Sequence, residues 1–426
     1  MTAFIIIVFI LGYIAIAFEH PLKLNKAASA LITGTLCWTL YVLQSESPDK
    51  VTKELLHHVG DIASILFFLL GAMTIVELID THNGFDLITQ KITTTSKRKV
   101  LLIITVLTFF LSALLDNLTT AIVMTSLCSK ILADKEHRLW FAGMIVIAAN
   151  AGGAWSPLGD ITTTMLWIGG QITALNIMKQ LILPSIAVCI IPALVVSYRF
   201  KGKKINPIPP SECTVEEKRD GRIILFAGVG FLIFVPVFKT ITHLPPFMGM
   251  LLALGLMWVI TTFLHKNKST EYAKRFTVTN ALQKIDAPSI LFFLGILLAV
   301  SALQAIGILK GLATVLNNSL KNDYLIGTAL GLLSAIVDNV PLVAASQAMY
   351  DLSTYPTDHP FWEFLALTTG TGGSAIIIGS AAGVAVMGIE QIDFMWYLKK
   401  ITWLALIGFV AGILVFLLQL NFSRLF

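Results

Sequence analysis

Apolar residues fill most of this chain in long runs, and short polar segments interrupt them at regular intervals. The longest uncharged runs approach the ~17 to 25 residues that a helix needs to cross a bilayer; they are 4–18, 27–43, 181–197, 223–238, 247–264 and 401–418. The first run has no basic segment before it and no small-residue cleavage site after it, so it is interpreted as a span and not as a signal peptide. The pattern predicts a series of transmembrane α-helices.

Four further apolar segments are broken by polar residues near their middle. Two carry the pair Asp-Asn, at Asp116-Asn117 and Asp338-Asn339, and are predicted to be hairpins over about 100–132 and 325–350. The other two carry glycine-rich polar stretches, 150–164 and 368–380, and are predicted to be interrupted helices over about 139–169 and 361–390. Backbone groups freed at such breaks must line a protein cavity or a bound ion, because lipid cannot pair with them.

Composition places this pattern in a membrane. The chain is 56% apolar and only 13% charged, with a mean hydropathy of +0.81, whereas ordinary soluble domains carry about 25% charged residues. The net charge of +5 comes from basic residues spread among loops, which argues against a nucleic-acid partner. The four cysteines are too few for a disulfide framework, and three lie in apolar helical sequence, so packing is expected for them. No P-loop or histidine-rich metal motif indicates an enzyme.

Several features recur in the same order in the second half of the chain. The hexapeptide Ser-Ile-Leu-Phe-Phe-Leu begins at residues 64 and 289, an offset of 225. The Asp-Asn pairs recur at an offset of 222, and both Trp38 with Trp258 and the Gly-Gly pairs at 152 and 372 recur at an offset of 220. We therefore expect two homologous halves, 1–200 and 222–426, joined by a polar linker over 201–221.

Loop charges predict how these halves are oriented. Each half is expected to have five crossings plus one re-entrant hairpin, and an odd number of crossings inverts the second half. With the N-terminus outside, 23 of the 30 Lys and Arg residues fall in the loops assigned to the cytoplasm, as the positive-inside rule requires; these loops are 19–26, 81–99, 130–138, 199–222, 265–285 and 391–400. The expected fold is an all-α polytopic membrane protein of two inverted-topology repeats. A bacterial inner membrane is the expected setting.

The polar breaks supply the candidate site. A carboxylate inside a membrane segment is energetically costly and is a functional hypothesis by default, and discontinuous helices commonly bind ions. Oxygen donors of this kind suit a hard cation such as sodium rather than a soft metal. Four residues are predicted to bind the sodium ion itself: Asp116, Asn117, Asp160 and Asp338. The full candidate set for cation and proton binding is Asp116, Asn117, Thr119, Thr120, Asn150, Asp160, Thr162, Thr163, Asp338, Asn339, Thr371 and Ser374.

The charges of these segments predict the kind of transport. The tips and glycine-rich stretches contain three carboxylates, Asp116, Asp160 and Asp338, and no Lys or Arg. Crowded carboxylates in a low dielectric hold protons more readily than in water. A site where a proton and a small cation compete for one carboxylate exchanges the two, which indicates coupled antiport without a resident cofactor.

The stretch Asn150 to Trp167, NAGGAWSPLGDITTTMLW, resembles the signature of the NhaD-type sodium/proton antiporters of the ion transporter superfamily. The resemblance extends through the repeat plan over nearly the whole chain. It implies Na+ or Li+ efflux in exchange for H+, an elevator-like movement and a homodimer. The residues that match the polar motif positions are Asp116, Asn117, Asn150, Asp160, Thr162, Thr163 and Asp338.

Alternative functions and plain structural roles remain open at this point. A sodium-coupled anion or oxyanion transporter of the same superfamily is the second candidate, and an ion channel or membrane scaffold is a third that the broken helices disfavour. Asp61 and Asp286 are expected to cap the starts of helices, and Asp160 could do the same. His82 lies near a loop end and is expected to be solvated.

Overall fold

The computed structural model describes residues 2–17, 19–85, 94–205, 214–266, 268 and 276–423. Its helices, numbered along the described chain, are α1 (Thr2–Ala17), α2 (Glu19–Leu22), α3 (Lys26–Gln44), α4 (Pro48–Thr81), α5 (Lys97–Leu115), α6 (Asn117–Ile131), α7 (Lys135–Ala154), α8 (Ile161–Ile168), α9 (Ala174–Arg199), α10 (Val215–Thr242), α11 (Pro246–His265), α12 (Val278–Lys284), α13 (Ala287–Ala305), α14 (Ile308–Leu320), α15 (Asp323–Leu333), α16 (Asn339–Met349), α17 (Pro360–Gly372), α18 (Ala381–Glu390), α19 (Phe394–Lys400) and α20 (Thr402–Ser423). A 3-10 turn, Ile377–Gly379, precedes α18.

Long apolar helices dominate this fold. Among the described residues, eight helices are long and apolar enough to cross a membrane, and they are α3, α4, α5, α9, α10, α11, α13 and α20. Their outward side chains are apolar as well; Phe226, Phe263 and Leu418, for example, are 70%, 70% and 57% exposed. Such surfaces require lipid around them. The predicted all-helical polytopic membrane protein is confirmed.

The repeated sequence features fall on helices in corresponding order. Trp38 lies on α3 and Trp258 on α11, whereas the two copies of the hexapeptide lie on α4 and α13. α3 packs directly against α13, where Trp38 Nε1 donates to the carbonyl oxygen of Leu298 at 2.9 Å. Gly34 permits this approach, because a Cβ there would lie 2.5 Å from the carbonyl oxygen of Gly295. Helices from the two halves are therefore packed directly against each other.

Only one of the two aspartates before the hexapeptides caps a helix. Asp286 accepts a hydrogen bond from the backbone N–H of Ser289 at 3.2 Å and begins α13, with Pro288 in the first turn. Asp61 lies inside α4, which begins at Pro48, so the capping role expected for Asp61 is wrong. The first half lacks a proline at the corresponding position, and its helix continues through the aspartate.

The helices on either side of Asp116 run in opposite directions. The N–H of Lys97, the first residue of α5, donates to the carbonyl oxygen of Lys203 at 3.0 Å, and Lys97 Nζ lies 2.8 Å from His137 Nδ1. His137 is in the first turn of α7, which follows α6 after only three residues. The start of α5 and the end of α6 are thus close together, and Asp116 lies at the far end of the pair.

The second Asp-Asn pair has a similar arrangement. Tyr355, which follows α16, donates its hydroxyl to Asp323 Oδ1 at 2.6 Å, and Asp323 is the first residue of α15. The start of α15 and the end of α16 are therefore close, and Asp338 lies at the far end. The predicted linker 201–221 has residues 206–213 outside the described part of the chain.

Each helix pair is attached to a broken helix by a matching serine. Ser112 Oγ donates to the carbonyl oxygen of Ala149 at 2.6 Å, and Ser334 Oγ, at the corresponding place in the second half, donates to that of Thr369 at 3.0 Å. Close packing accompanies these bonds. A Cβ on Gly152 would lie 2.2 Å from the carbonyl oxygen of Phe109, and one on Gly372 would lie 1.9 Å from that of Gly331. Glycine is required at both positions.

Candidate ion site

The two aspartates of the Asp-Asn pairs each begin a helix. Asp116 has φ +99, a conformation that residues other than glycine rarely adopt. Its Oδ1 and Oδ2 accept hydrogen bonds from the N–H and Oγ1 of Thr119 at 2.7 and 2.9 Å. Asp338 caps α16 in the same way, through the N–H of Val340 at 3.1 Å. The backbone strain at Asp116 costs on the order of 1–3 kcal/mol, and strain of this kind is concentrated at functional sites.

Asp160 lies at the centre of the site. The carboxylate begins α8, and its Oδ1 accepts from the N–H and the Oγ1 of Thr162, both at 2.8 Å. Its Oδ2 accepts from Asn117 Nδ2 at 2.7 Å and from Asn339 Nδ2 at 3.4 Å. One carboxylate oxygen therefore joins the asparagines of both Asp-Asn pairs, which belong to different halves of the chain.

Asn150 extends this network to the second broken helix. Its Oδ1 accepts from Asn117 Nδ2 at 3.1 Å, and its Nδ2 donates to the hydroxyls of Ser374 and Ser380, both at 2.9 Å. These side chains are at most 5% exposed; they are Asn117, Asn150, Asp160, Asn339, Ser374 and Ser380. The network is thus a buried cluster of amides and hydroxyls around a single carboxylate.

The remaining predicted residues have different environments. Thr163 Oγ1 donates to the carbonyl oxygens of Ser156 and Asp160 at 2.7 and 2.8 Å, which ties the break of the helix together. Thr371 Oγ1 donates to the carbonyl oxygen of Leu367 in its own helix. Thr120 is fully buried, and within the described part of the chain its hydroxyl has no hydrogen-bond partner. A buried hydroxyl without a partner is costly and calls for a ligand or another explanation.

Asp116 and Asp338 are adjacent to the central network without contacting Asp160 directly. Both are half-buried, and each lines a cavity. The cavity at Asp338 also contains Lys26, at the start of α3, whose charge acts on that carboxylate. The Asp-Asn tips and the glycine-rich stretches contain no Lys or Arg, as the sequence showed, but Lys26 reaches the cavity from a different part of the chain.

Two contacts join the ends of the broken helices across the halves. Arg138 Nε, in the first turn of α7, donates to Glu390 Oε2 at the end of α18 at 3.0 Å. Asp358, just before α17, accepts from the N–H and Oγ1 of Thr173, just after α8, at 2.6 and 2.8 Å. Arg138 and Asp358 are related by the same offset of 220 that relates the Gly-Gly pairs. One partner of each contact therefore occupies a corresponding place in the two halves.

Sequence reasoning missed Ser380 in the network and Lys26 in the cavity, and also two buried carboxylates at the far ends of the broken helices, Glu363 and Glu390. A signal existed for Glu363, which stands among Trp362, Phe364 and Leu365 in apolar sequence. Lys26 had no such signal, because it is a loop-end residue that only tertiary packing brings to Asp338.

A second buried cluster lies away from the site, at the end of α4. His82 is 3% exposed and His265 is 5% exposed, so the solvated position expected for His82 is wrong. Their Nε2 atoms are 3.0 Å apart and the rings stack, with Phe276 against both. Burial lowers the pKa of His82 to about 4, and the neighbouring charges of Asp220 and Lys268 act on it in opposite directions.

Together these features define a class. Broken helices that meet around buried oxygen donors, inside a bundle of lipid-exposed helices, are typical of secondary transporters. The chain belongs to the family described as citrate transporter, which matches residues 13–370.

Individual relatives carry names of a different kind. Sodium/proton antiporter 1 of Arabidopsis thaliana is 46% identical over 415 residues, covering 96% of this chain and 71% of that protein. Sodium/proton antiporter 2 of the same plant is 44% identical, covering 98% and 99%. The Na+/H+ antiporter NhaD of Vibrio cholerae is 32% identical, covering 97% and 91%. These relatives span the whole fold and support the resemblance found in the sequence.

Proposed function

We propose that this protein is a secondary antiporter that exchanges Na+ or Li+ for H+. The observation that carries the proposal is the single carboxylate of Asp160 surrounded by three buried amides, with Asp116 and Asp338 directly preceding two of them. The named activities of the relatives from Arabidopsis thaliana and Vibrio cholerae support it.

The proposed cation ligands are oxygens of the central network. Asp160 supplies a carboxylate, and Asn117, Asn150 and Asn339 each supply a carbonyl oxygen when the amide turns toward the ion. The hydroxyl of Thr120, buried without a partner in the described part of the chain, is a further candidate ligand. Such a set suits a hard monovalent cation. Thr119, Thr162 and Thr163 would hold the breaks in place, and Ser374 would position Asn150, whereas Thr371 is the least supported member of the predicted set.

Protons would compete with the cation for the carboxylate of Asp160 and for those of Asp116 and Asp338, which are the other two predicted sodium-binding carboxylates. A carboxylate removed from water binds a proton more readily, and nearby carboxylates reinforce this effect. Protonation removes the negative charge that binds the cation, so each ion displaces the other. The driving force is a gradient, and each net charge moved across the membrane is worth ~2.3 kcal/mol per 100 mV.

The proposal includes two inverted repeats, 1–200 and 222–426, with re-entrant hairpins at the two Asp-Asn pairs. The corresponding serine bonds of Ser112 and Ser334, and the antiparallel helix pairs, support this plan. An elevator-like movement and a homodimer belong to the proposal through the family resemblance alone. A bacterial inner membrane is the proposed setting. The relatives come from bacteria and a plant, and the exchange itself requires only a membrane that carries a proton or sodium gradient.

A sodium-coupled anion transporter is the alternative. Two observations favour it: the family description names citrate, and Lys26 adds a positive charge to the cavity at Asp338. Three carboxylates around that cavity and the central network oppose anion binding. We therefore place this function second.

The deciding experiment uses purified protein in sealed liposomes with a trapped pH dye. NaCl, LiCl, KCl or choline chloride is added outside, and wild type is compared with Asp160→Asn, Asp116→Asn and Asp338→Asn. We expect Na+ or Li+ to move protons in wild type and Asp160→Asn to abolish the response. Glu46→Gln, which changes an exposed carboxylate far from the site, is the control and should behave as wild type.

Other outcomes decide against the proposal. If no cation moves protons in correctly inserted protein, exchange is the wrong mechanism. If citrate-dependent uptake of sodium then occurs in the same liposomes, the anion-coupled function replaces it. A current that persists without exchange would indicate a channel.

A further inference from the structure

Two cavities of very different size are lined by corresponding residues of the two halves. One has a volume of about 470 Å³ and contains Asp338, and the other has a volume of about 30 Å³ and contains Asp116. Six lining positions of one match six of the other at an offset of 222 or 220, including Asp116 with Asp338, Leu158 with Ile378 and Thr164 with Val384. The two cavities are therefore equivalent by the internal repeat of the chain.

Both cavities reach the central network. Asp338 precedes Asn339, and Asp116 precedes Asn117, and both asparagines donate to Asp160 Oδ2. Ser380, a partner of Asn150, also lines the large cavity. The network thus lies between the two cavities, with one aspartate at the inner end of each.

Their sizes determine which one an ion can use. A water molecule occupies about 30 Å³ in the liquid, so the large cavity holds a cation with on the order of ten waters, whereas the small one holds about one. The small cavity is also apolar apart from Asp116, Thr164 and Ser289 among its described lining residues. Of these two cavities, a hydrated cation can therefore enter the large one and not the small one.

The mouth of the large cavity indicates its side of the membrane. Glu19, Lys26 and Phe394 line the cavity, and they belong to the loops 19–26 and 391–400. Loop charges assign both of these loops to the cytoplasm. The cavity at Asp338 thus opens toward the cytoplasm. A third cavity of about 480 Å³, with His58, Gln171 and Gln347 in its lining, lies at the opposite end, but its described lining residues include neither Asp116 nor a member of the central network.

We infer that Asp338 is the access carboxylate for cations from the cytoplasm and Asp116 is its counterpart for the opposite side. This inference rests on the proposed antiport and deepens it. Transport exchanges the two cavities: the one at Asp338 closes, the one at Asp116 opens, and Asp160 holds the ion between them. Each half can adopt the conformation that the other half now has, because corresponding residues line the two cavities.

The test uses matched cysteines at one pair of corresponding positions. Ile378→Cys and Leu158→Cys, both at half-buried positions, are made in protein carrying Cys213→Ser, while the buried Cys37, Cys128 and Cys189 are kept. A membrane-impermeant maleimide is added to one side of oriented vesicles. Ile378→Cys should react from the cytoplasmic side at least about tenfold faster than from the other, because a minor state is populated at about 10% or less. Leu158→Cys should react slowly from both sides.

A second substitution then reverses the pattern. Val384→Trp fills the large cavity and should favour the opposite state, so that Leu158→Cys reacts from the outside at least about tenfold faster than before. Val384→Phe serves the same purpose with less bulk. Each variant is first checked for a monodisperse profile in detergent, so that a misfolded protein is not compared.

Several results would overturn the inference. Ile378→Cys could react equally from both sides, Leu158→Cys could react from the cytoplasm, or Leu158→Cys could stay unreactive in a well-folded Val384→Trp or Val384→Phe protein. Labelling does not require ion exchange. Sided labelling without cation-driven proton movement would therefore reject the proposed function and retain the paired cavities, and the reverse result would do the opposite.

Discussion

Asn117 Nδ2 lies 2.7 Å from Asp160 Oδ2, whereas Asn339 Nδ2 lies 3.4 Å from the same oxygen. Corresponding residues of the two halves thus bind one carboxylate unequally. Asn117 also donates to Asn150, so it makes two contacts where Asn339 makes one to Asp160. The first half therefore holds the central carboxylate more tightly in this state.

The first prediction follows from this inequality. Asn117→Ala should raise the apparent KM for sodium by about tenfold, and Asn339→Ala by about threefold, because hydrogen bonds to charged groups contribute ~1.5–3 kcal/mol and weaken with length. Dye-based antiport assays over a range of sodium concentrations measure both. Asn318→Ala, at an exposed position, is the control. Equal effects of the two substitutions would contradict the role given to the shorter bond.

The second prediction concerns the contact between the ends of α7 and α18. Glu390 is 4% exposed, so Arg138→Gln leaves a buried carboxylate without its partner and should cost roughly 3 kcal/mol of stability. The double variant Arg138→Gln/Glu390→Gln should recover most of the loss, because no unpaired charge remains. Melting temperatures in detergent provide the measurement.

An exposed ion pair supplies the comparison for this second prediction. Arg199 and Glu136 are 2.7 Å apart, but their side chains are 44% and 63% exposed. Arg199→Gln should therefore change stability by no more than about 1 kcal/mol. If both arginine variants lower the melting temperature equally, burial of Glu390 is not the reason for the effect.

Much of this molecule was predictable because lipid imposes strict rules on sequence. Uncharged runs of 15 to 18 residues predicted the polytopic helical fold, since a single helix satisfies its own backbone groups in lipid. Asp116, Asp160 and Asp338 stood out for the same reason, because an intramembrane carboxylate is costly. These rules do not determine which side chains contact each other. Asn117 and Asn339 meet at Asp160, while the neighbouring aspartates turn to the cavities, and only tertiary packing decides this.

Loop-end residues were the least predictable for a related reason. Lys26, His82 and His265 are at or near the ends of helices, where sequence alone suggests contact with water. The structure buries the histidines against each other and brings Lys26 to Asp338. The capping role predicted for Asp61 was wrong for a different reason, because it depended on a helix start that the first half does not have.

The third prediction is a loss of stability at low pH. His82 Nδ1 lies 2.6 Å from the carbonyl oxygen of Leu78 and must donate to it, so its Nε2 accepts from His265. Burial lowers the pKa of His82 from 6.5 to about 4. The unfolded chain therefore takes up this proton near pH 6.5 and the folded chain only near pH 4. Stability from this residue is complete above pH 6.5 and falls by roughly 3 kcal/mol as the pH drops to 4.

Melting temperatures between pH 4 and 8 test this third prediction. His82→Gln should make the dependence between pH 4 and 6.5 shallower, because glutamine does not titrate, whereas the neighbouring His265 remains. His57→Gln is the matched control, since His57 has a side chain that is 78% exposed. A variant His82→Gln whose stability still falls as steeply as that of wild type would show that other groups determine the acid sensitivity.

The fourth prediction assigns an electrostatic role to Lys26. Its positive charge acts on Asp338 within the same cavity, and so it competes with any cation that approaches from that side. Lys26→Met should lower the apparent KM for sodium by about two- to fivefold, the effect of a partly solvated charge pair of ~0.5–1 kcal/mol. The gain should shrink at high ionic strength, where choline chloride screens the charge.

Sidedness separates this role of Lys26 from a structural one. By the offset of 220 that relates Trp38 to Trp258 in the same two helices, the position corresponding to Lys26 is Pro246, which carries no charge. Lys26→Met should therefore change the KM measured from the cytoplasmic side and leave the KM from the opposite side as in wild type. Lys23→Met, at a nearby exposed position, should change neither. An equal change from both sides would mean that Lys26 acts on the central carboxylate or on the fold as a whole, because a charge confined to one cavity is felt only by ions that pass through it.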